Sequence, residues 1–305
     1  MLSRTSIPSE STDFLQQNGC LETTNIRDRI CSIYQVLTKA AVLDPCPEIN
    51  DAFSELVSIC IKTLPRHELE IVLHDRRITE ITQHFRQLCA LGEFRLEVKW
   101  ASQIVASPKD TTMELLRFPY YQNYVALVKM ELNAIRSVLM KSPERIAFLG
   151  SGPLPLTSIC LARELLSQEG NSNPANFAID NYDIDAEALE LSMALVNQLA
   201  DVQDNMQFHH QGVEDIQDLK KHDVVYLAAL VGLEPAEKQK ITKQLWKAMK
   251  TGSYLILRSA HSLRTLLYPE IETEMLTGFE PVLVVHPYNE VVNSIIIARR
   301  LQVID

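Results

Sequence analysis

Apolar residues recur at helical spacing from Asn25 onward: Ile26, Ile30, Ile33, Tyr34 and Leu37, with Asn25 suited to cap the start. Asp44-Pro-Cys-Pro47 stops that helix. A second carries Ile49, Phe53, Leu56, Val57, Cys60 and Leu64 and ends at Pro65. A third pattern runs from about His67 to Ser107. A last helix begins at Phe118-Pro119, with proline near its first turn, and continues to about Met140. These patterns predict an N-terminal helical bundle of roughly five helices over residues 25–141. Residues 1–24 are rich in Ser, Thr, Asn and Gln with little apolar periodicity, and read as a flexible tail.

The pattern changes after Pro143. Short apolar strands are predicted at Arg145–Leu149, Ala178–Asp183, Met206–His209, Asp223–Ala228 and Tyr254–Leu257. Helices are predicted at Leu156–Leu166, Ala186–Leu199 and Pro235–Met249. Strands alternating with helices imply an α/β domain, residues 142–305, whose parallel sheet is covered on both faces. Two final strands, Val282–Val285 and Val292–Ala298, are joined by a short connection. They must be antiparallel, because a parallel crossover needs a dozen or more residues. A parallel sheet closed by an antiparallel hairpin resembles the Rossmann-like fold of S-adenosylmethionine-dependent methyltransferases.

Charge narrows the class of partner. The net charge is −10. Residues 1–141 hold 16 Lys+Arg against 17 Asp+Glu, leaving 13 against 22 for residues 142–305. So acidic a half argues against a nucleic-acid surface and suits a cationic small ligand. No apolar run approaches the length of a membrane span, and the N-terminus shows no charged-then-apolar signal pattern. The six cysteines form no CxxC and fit no zinc spacing, so a reducing, cytoplasmic setting without a protein-bound metal is expected. Oligomeric state is open, and a homodimer is compatible with the sequence.

The segment Phe148-Leu-Gly-Ser-Gly-Pro-Leu-Pro155 follows a predicted strand and opens a helix. Gly150 and Gly152 allow a tight turn and close backbone approach to a ligand, with Ser151 and Pro153 in the same loop. Pro155 stands where a dinucleotide fingerprint wants its third glycine, and 33 residues separate Gly150 from Asp183 against the usual ~20. A nicotinamide dehydrogenase is therefore disfavoured. Asp183 ends the second strand and can accept ribose hydroxyls. Asp185 either does the same or caps the next helix. Asp215 either meets an adenine amino group or is a solvated loop acid.

Six motifs appear in this order: Phe118-Pro-Tyr-Tyr-Gln-Asn-Tyr124, Phe148 to Ser158, Asn181-Tyr-Asp-Ile-Asp185, Asp223 to Gly232, Leu257-Arg-Ser-Ala-His261, and His286-Pro with Asn289 to Ser294. Their order and unusual prolines resemble the nicotianamine synthase family over roughly residues 26–300. The resemblance implies an aminopropyl transferase. It would consume three S-adenosylmethionine molecules, release three 5′-methylthioadenosines, and join the aminobutanoate units into a metal-chelating product. Metal would meet the product and not the enzyme.

An attacking amine must be neutral, so something must accept its proton. With the family in view, Glu97 is assigned to orient the acceptor amine and take the proton, with Glu93 as the alternative. Tyr120 is assigned to the reacting carbon, and Tyr121 or Tyr124 to the S-adenosylmethionine contact. Arg258 and His261 are candidates for a substrate carboxylate, although His261 also reads as a structural histidine. Ordinary methyl transfer and non-catalytic S-adenosylmethionine binding remain the rival functions.

Overall fold

The computed structural model describes residues 10–107, 109–168 and 177–302. Among them six helices precede the first strand: α1 (Glu10–Lys39), α2 (Pro47–Cys60), α3 (Arg66–Leu73), α4 (Arg76–Ala106), α5 (Thr111–Leu115) and α6 (Tyr121–Leu139). The stretch 10–24, expected as a flexible tail, is helical and continuous with the segment beginning at Asn25, so Asn25 caps nothing. Residues 1–9 lie outside the described residues. Once Ile26, Ile30, Ile33 and Leu37 anchor a helix, each further turn upstream gains hydrogen bonds without a new nucleus. The long pattern from His67 splits because Asp75 starts α4, accepting the Arg77 N–H at 2.9 Å. Helix α6 starts at Tyr121, which leaves Pro119 in the turn before it.

Seven strands follow: β1 (Arg145–Leu149), β2 (Ala178–Asp183), β3 (Met206–His210), β4 (Val224–Leu227), β5 (Tyr254–Ser259), β6 (Phe279–Val285) and β7 (Ser294–Arg300). They form one sheet in the order β3-β2-β1-β4-β5-β7-β6. The five strands from β3 to β5 are parallel, while β7 runs antiparallel to both β5 and β6. The order reverses between β1 and β4, and such a switch point opens a crevice at the carboxyl ends of the strands. The α/β expectation with its closing hairpin holds.

Strand alternation decides what covers each face. Ile146, Phe148, Tyr226 and Ile256 pack in one core with α6, with α7 (Leu156–Gln168) and with the end of α8 (Ala186–Val196). Ala147, Leu149, Val225, Leu255 and Leu257 pack on the other face with Ile241 and Leu245 of α9 (Pro235–Ala248). Apolar packing therefore crosses the sequence division at Lys141/Ser142, because α6 covers part of the sheet. It crosses again at the 3-10 turn Ser262–Leu266 after β5, where Leu263, Leu266 and Leu267 are buried among α1, α2 and α4. No helix among the described residues is long and apolar enough to cross a membrane.

Arg264 fastens that turn. Its side chain is 1% exposed. Nε donates to the Val291 carbonyl at 3.2 Å and Nη2 to the Asn289 carbonyl at 2.7 Å. Both acceptors lie in the β6–β7 connection, so one guanidinium holds two loops at the carboxyl edge of the sheet. Arg264→Met removes these donors and leaves the carbonyl of buried Val291 unpaired, which costs about 1–3 kcal/mol, while exposed Asn289 can turn to water. The expected loss is about 1–3 kcal/mol in denaturant unfolding, with unchanged secondary structure under native conditions.

Candidate active site

A cavity of about 630 Å³ lies between α2, α4 and α6 and the carboxyl ends of the central strands. Small-molecule sites commonly span ~300–1,000 Å³. Its floor is the loop after β1. Gly150 and Gly152 have φ of 83° and 65°, a region that glycine occupies without strain. A Cβ on Gly150 would meet Val231 Cγ2 at 2.3 Å, so the site also needs the missing side chain there. Gly150 and Ser151 donate their N–H groups to the Tyr182 carbonyl at 2.8 and 3.2 Å. Gly152 N–H donates to Asp183 Oδ2 at 2.7 Å, and Asp183 Oδ1 accepts from Asp185 N–H at 3.0 Å. Asp183 thus binds the loop and lines the cavity at once. The Ser151 hydroxyl, in the same wall, is buried without a hydrogen-bond partner among the described residues.

The opposite wall is acidic. Glu93 and Glu97 are one turn apart on α4 and line the cavity together. The Tyr124 hydroxyl reaches Glu97 Oε1 at 3.1 Å and Glu93 Oε1 at 3.4 Å. The Tyr268 hydroxyl donates to Glu93 Oε2 at 2.7 Å. Removal from bulk water, and then the charge of Glu93, push the Glu97 carboxyl well above the ordinary carboxylate range. Burial raises Glu93 too, against the hydrogen bond from Tyr268. Glu97 also approaches the loop after β1, since a Cβ added to Gly152 would lie 3.0 Å from Glu97 Oε2.

Arg258 lines the cavity from β5, but it is already paired. Nε and Nη2 bind Glu131 of α6 at 2.8 and 3.2 Å, and Nη2 also donates to Thr157 Oγ1 at 2.9 Å. Its Cζ stands 5.5 Å from the Phe148 ring centroid. This leaves Nη1 as the nitrogen without a hydrogen-bond partner among the described residues, and the guanidinium is held rigidly.

Of the residues singled out by sequence, Gly150, Ser151, Gly152, Asp183, Glu93, Glu97, Tyr120, Tyr124 and Arg258 all line this one cavity. Five do not. Tyr121 points into the core beside α7, where its hydroxyl accepts from Arg163 Nη1 at 3.3 Å. Pro153 is buried behind the loop that it stiffens. Asp185 caps α8, accepting the Ala188 N–H at 3.0 Å. Asp215 ends a 3-10 turn next to Gly212 and Ile184. His261 bonds Ser294 Oγ through Nδ1 at 2.9 Å and packs at a tilt against His286, and burial and Arg264 lower its pKa to about 4. Sequence reasoning missed Tyr268 and Glu131. Neither carries a local signal, because each acts on a residue more than a hundred positions away.

The family model for nicotianamine synthase proteins matches residues 19–305. The chain belongs to the nicotianamine synthase family. It is 38% identical over 285 residues to nicotianamine synthase of Solanum lycopersicum, covering 93% of this chain and 86% of that protein. To the probable nicotianamine synthase 4 of Arabidopsis thaliana it is 36% identical, covering 93% and 85%. The fold is similar to the crystal structure of MtNAS in complex with MTA and tNA, with TM-score 0.74, 22% identity, and coverage of 92% of this chain and 97% of that one. A mutant of MtNAS in complex with S-adenosylmethionine matches with TM-score 0.72 and 21% identity, covering 90% and 98%. As a nicotianamine synthase family member the chain is an aminoalkyl transferase that uses S-adenosylmethionine as substrate, on a methyltransferase-like fold.

The two aspartates at the end of β2, Asp183 and Asp185, separate experimentally in this nicotianamine synthase family member. Asp185→Ala loses a helix cap, and the expected effect is about 1 kcal/mol of stability with little change in S-adenosylmethionine affinity. Asp183→Ala is expected to weaken S-adenosylmethionine binding at least tenfold. Calorimetric titration alongside thermal melts checks both.

Proposed function

We propose that the cavity performs the family reaction, three aminopropyl transfers that build nicotianamine, with Glu97 accepting the amine proton. The observation that supports this reading is the close approach of the two walls: a buried carboxyl of raised pKa stands near Gly152, in the loop assigned here to adenosine. An amine placed by Glu97 is thereby next to the sulfonium donor.

The roles follow from chemistry. S-adenosylmethionine supplies a sulfonium whose attached carbons are electrophilic. Gly150, Ser151, Gly152 and Asp183 hold the adenosine end. Glu97 accepts a hydrogen bond from the acceptor ammonium and takes one proton, leaving a neutral amine. A nitrogen–carbon bond forms, the carbon–sulfur bond breaks, and its electron pair stays on sulfur in 5′-methylthioadenosine. Charge on sulfur is lost in this step, so a cavity shielded from water favours it. Tyr124 orients both carboxyls, Tyr120 lies in the same wall beside the acceptor, and Tyr268 fixes Glu93 as a second acid. Positioning supplies most of the rate. The five free cysteines among the described residues support a reducing, cytoplasmic setting.

Purified protein incubated with S-adenosylmethionine alone is expected to yield 5′-methylthioadenosine and nicotianamine by mass spectrometry. S-adenosylhomocysteine as the by-product would instead mean methyl transfer, and unchanged substrate would mean binding alone. Glu97→Gln is expected to lower kcat by about 10²–10⁴-fold with nearly unchanged S-adenosylmethionine affinity.

The pH profile carries the sign of the Glu97 shift. The base works only when deprotonated, and burial, Glu93 and Asp183 all raise its pKa, against the Tyr124 hydrogen bond and Arg258. Activity should fall as pH drops through that raised value, so the ascending limb of kcat/KM is expected above the ordinary carboxylate value of ~4.3.

A further inference from the structure

Lys238 is a buried cation near the start of α9, and it does not itself line the cavity. A cation at that end of a helix gains nothing from the helix dipole, so other partners must hold it. Both are backbone carbonyls of one loop. Nζ donates to the Val231 carbonyl and, at 3.3 Å, to the Ala229 carbonyl. Ala228, Ala229, Leu230 and Val231 of that loop, which follows β4, all line the cavity.

The loop is pinned at both ends. Ala228 N–H donates to the Leu149 carbonyl at 3.1 Å, which ties its start to β1. Its far end lies on α9 at Gly232, with φ of 71°, where a Cβ would stand 2.9 Å from Ile241 Cδ1. Between these points Lys238 holds the carbonyls, and Val231 carries the consequence. Val231 Cγ2 fills the space beside Gly150, only 2.3 Å from where a Cβ there would be, and Ala228 Cβ is 3.3 Å from the same point. The loop after β4 therefore sets the room left to the loop after β1.

We propose that Lys238 is a positioning residue for S-adenosylmethionine: by holding the Ala229 and Val231 carbonyls it seats Val231 against Gly150 and fixes the width of the cleft beside the nucleoside. This deepens the function proposed above and rests on its assignment of the loop after β1 to adenosine. An apolar side chain of equal length would fill the same volume but leave both carbonyls without this donor. The ammonium also makes the two bonds charge-assisted, and so about twice as strong as those of a neutral donor. Burial lowers its pKa to about 8, while Glu237, next to it on α9, favours the charged form. Residues 228–232 carry no titratable side chain, and Glu234, which caps α9, accepts from Gln83 Nε2 of α4 at 2.7 Å. The full grip on the loop is thus present below that pKa and is lost as pH rises through it.

The probe is 5′-methylthioadenosine, which keeps the nucleoside and has no group that titrates near neutral pH. In calorimetric titration its affinity for the unsubstituted protein is expected to fall about fivefold between about pH 7 and about pH 9. Lys238→Met is expected to bind it about tenfold more weakly at about pH 7 and to lose the pH dependence. Val231→Ala should weaken binding too, and adding Lys238→Met to it should change little more, because both act through one contact. A flat profile in the unsubstituted protein, a profile that persists in Lys238→Met, full additivity with Val231→Ala, or a lower melting temperature with unchanged affinity overturns the assignment. Lys238→Gln, also neutral, takes the place of Lys238→Met if that variant does not fold, and failure of both to fold makes Lys238 structural and overturns it. Asp183→Ala separates the two failures. If it weakens the same ligand while Lys238→Met does not, only the role of Lys238 falls; if neither weakens it, the adenosine assignment falls as well.

Discussion

Everything in the site depends on the desolvation of two carboxyls on one helix. Glu93 and Glu97 are neighbours on α4 and would repel and ionise freely on an exposed helix. Here the carboxyl edge of the sheet closes over them, and loss of water raises both. The hydroxyls of Tyr124 and Tyr268 supply the hydrogen bonds that make this tolerable. An acid held in this state can take a proton from an ammonium that ordinary carboxylates would leave charged.

The rest of the architecture serves that closure. The parallel sheet places Gly150, Gly152 and Asp183 at a switch point, where a backbone loop can approach a nucleoside. The helices bring an acidic wall to the same edge. Buried polar contacts hold the two sides in register: Arg258 to Glu131 and Thr157 under the cavity, and Arg264 to the β6–β7 connection beside it. A buried ion pair is a poor source of stability compared with apolar packing, but it fixes orientation. Orientation is what a reaction run mainly by placement requires.

Local patterns made much of this legible. The strands at Arg145–Leu149 and Ala178–Asp183 read correctly to the residue: the first is a short apolar run after Pro143, and the second, although half polar, lies between two helical patterns in an alternating strand–helix order. The glycine loop was readable because positive φ selects glycine. Residues 10–24 were misread, since a polar helix end carries no apolar stripe and leans on the anchored part of α1. Tyr121 and Tyr124 looked equivalent in the sequence, yet Tyr124 shares the cavity with Tyr120, four positions before it, while Tyr121 turns to Arg163 of α7.

The sequence by itself determined the fold class and the glycine-containing turn between the first strand and its helix. Both are short-range patterns, set by backbone sterics and by periods of two and 3.6 residues. Only the tertiary structure decided that Tyr268 holds Glu93, that Glu131 holds Arg258 and that Asp185 is a helix cap. Those outcomes depend on which distant side chain arrives within about 3 Å, and local periodicity carries no information about that distance.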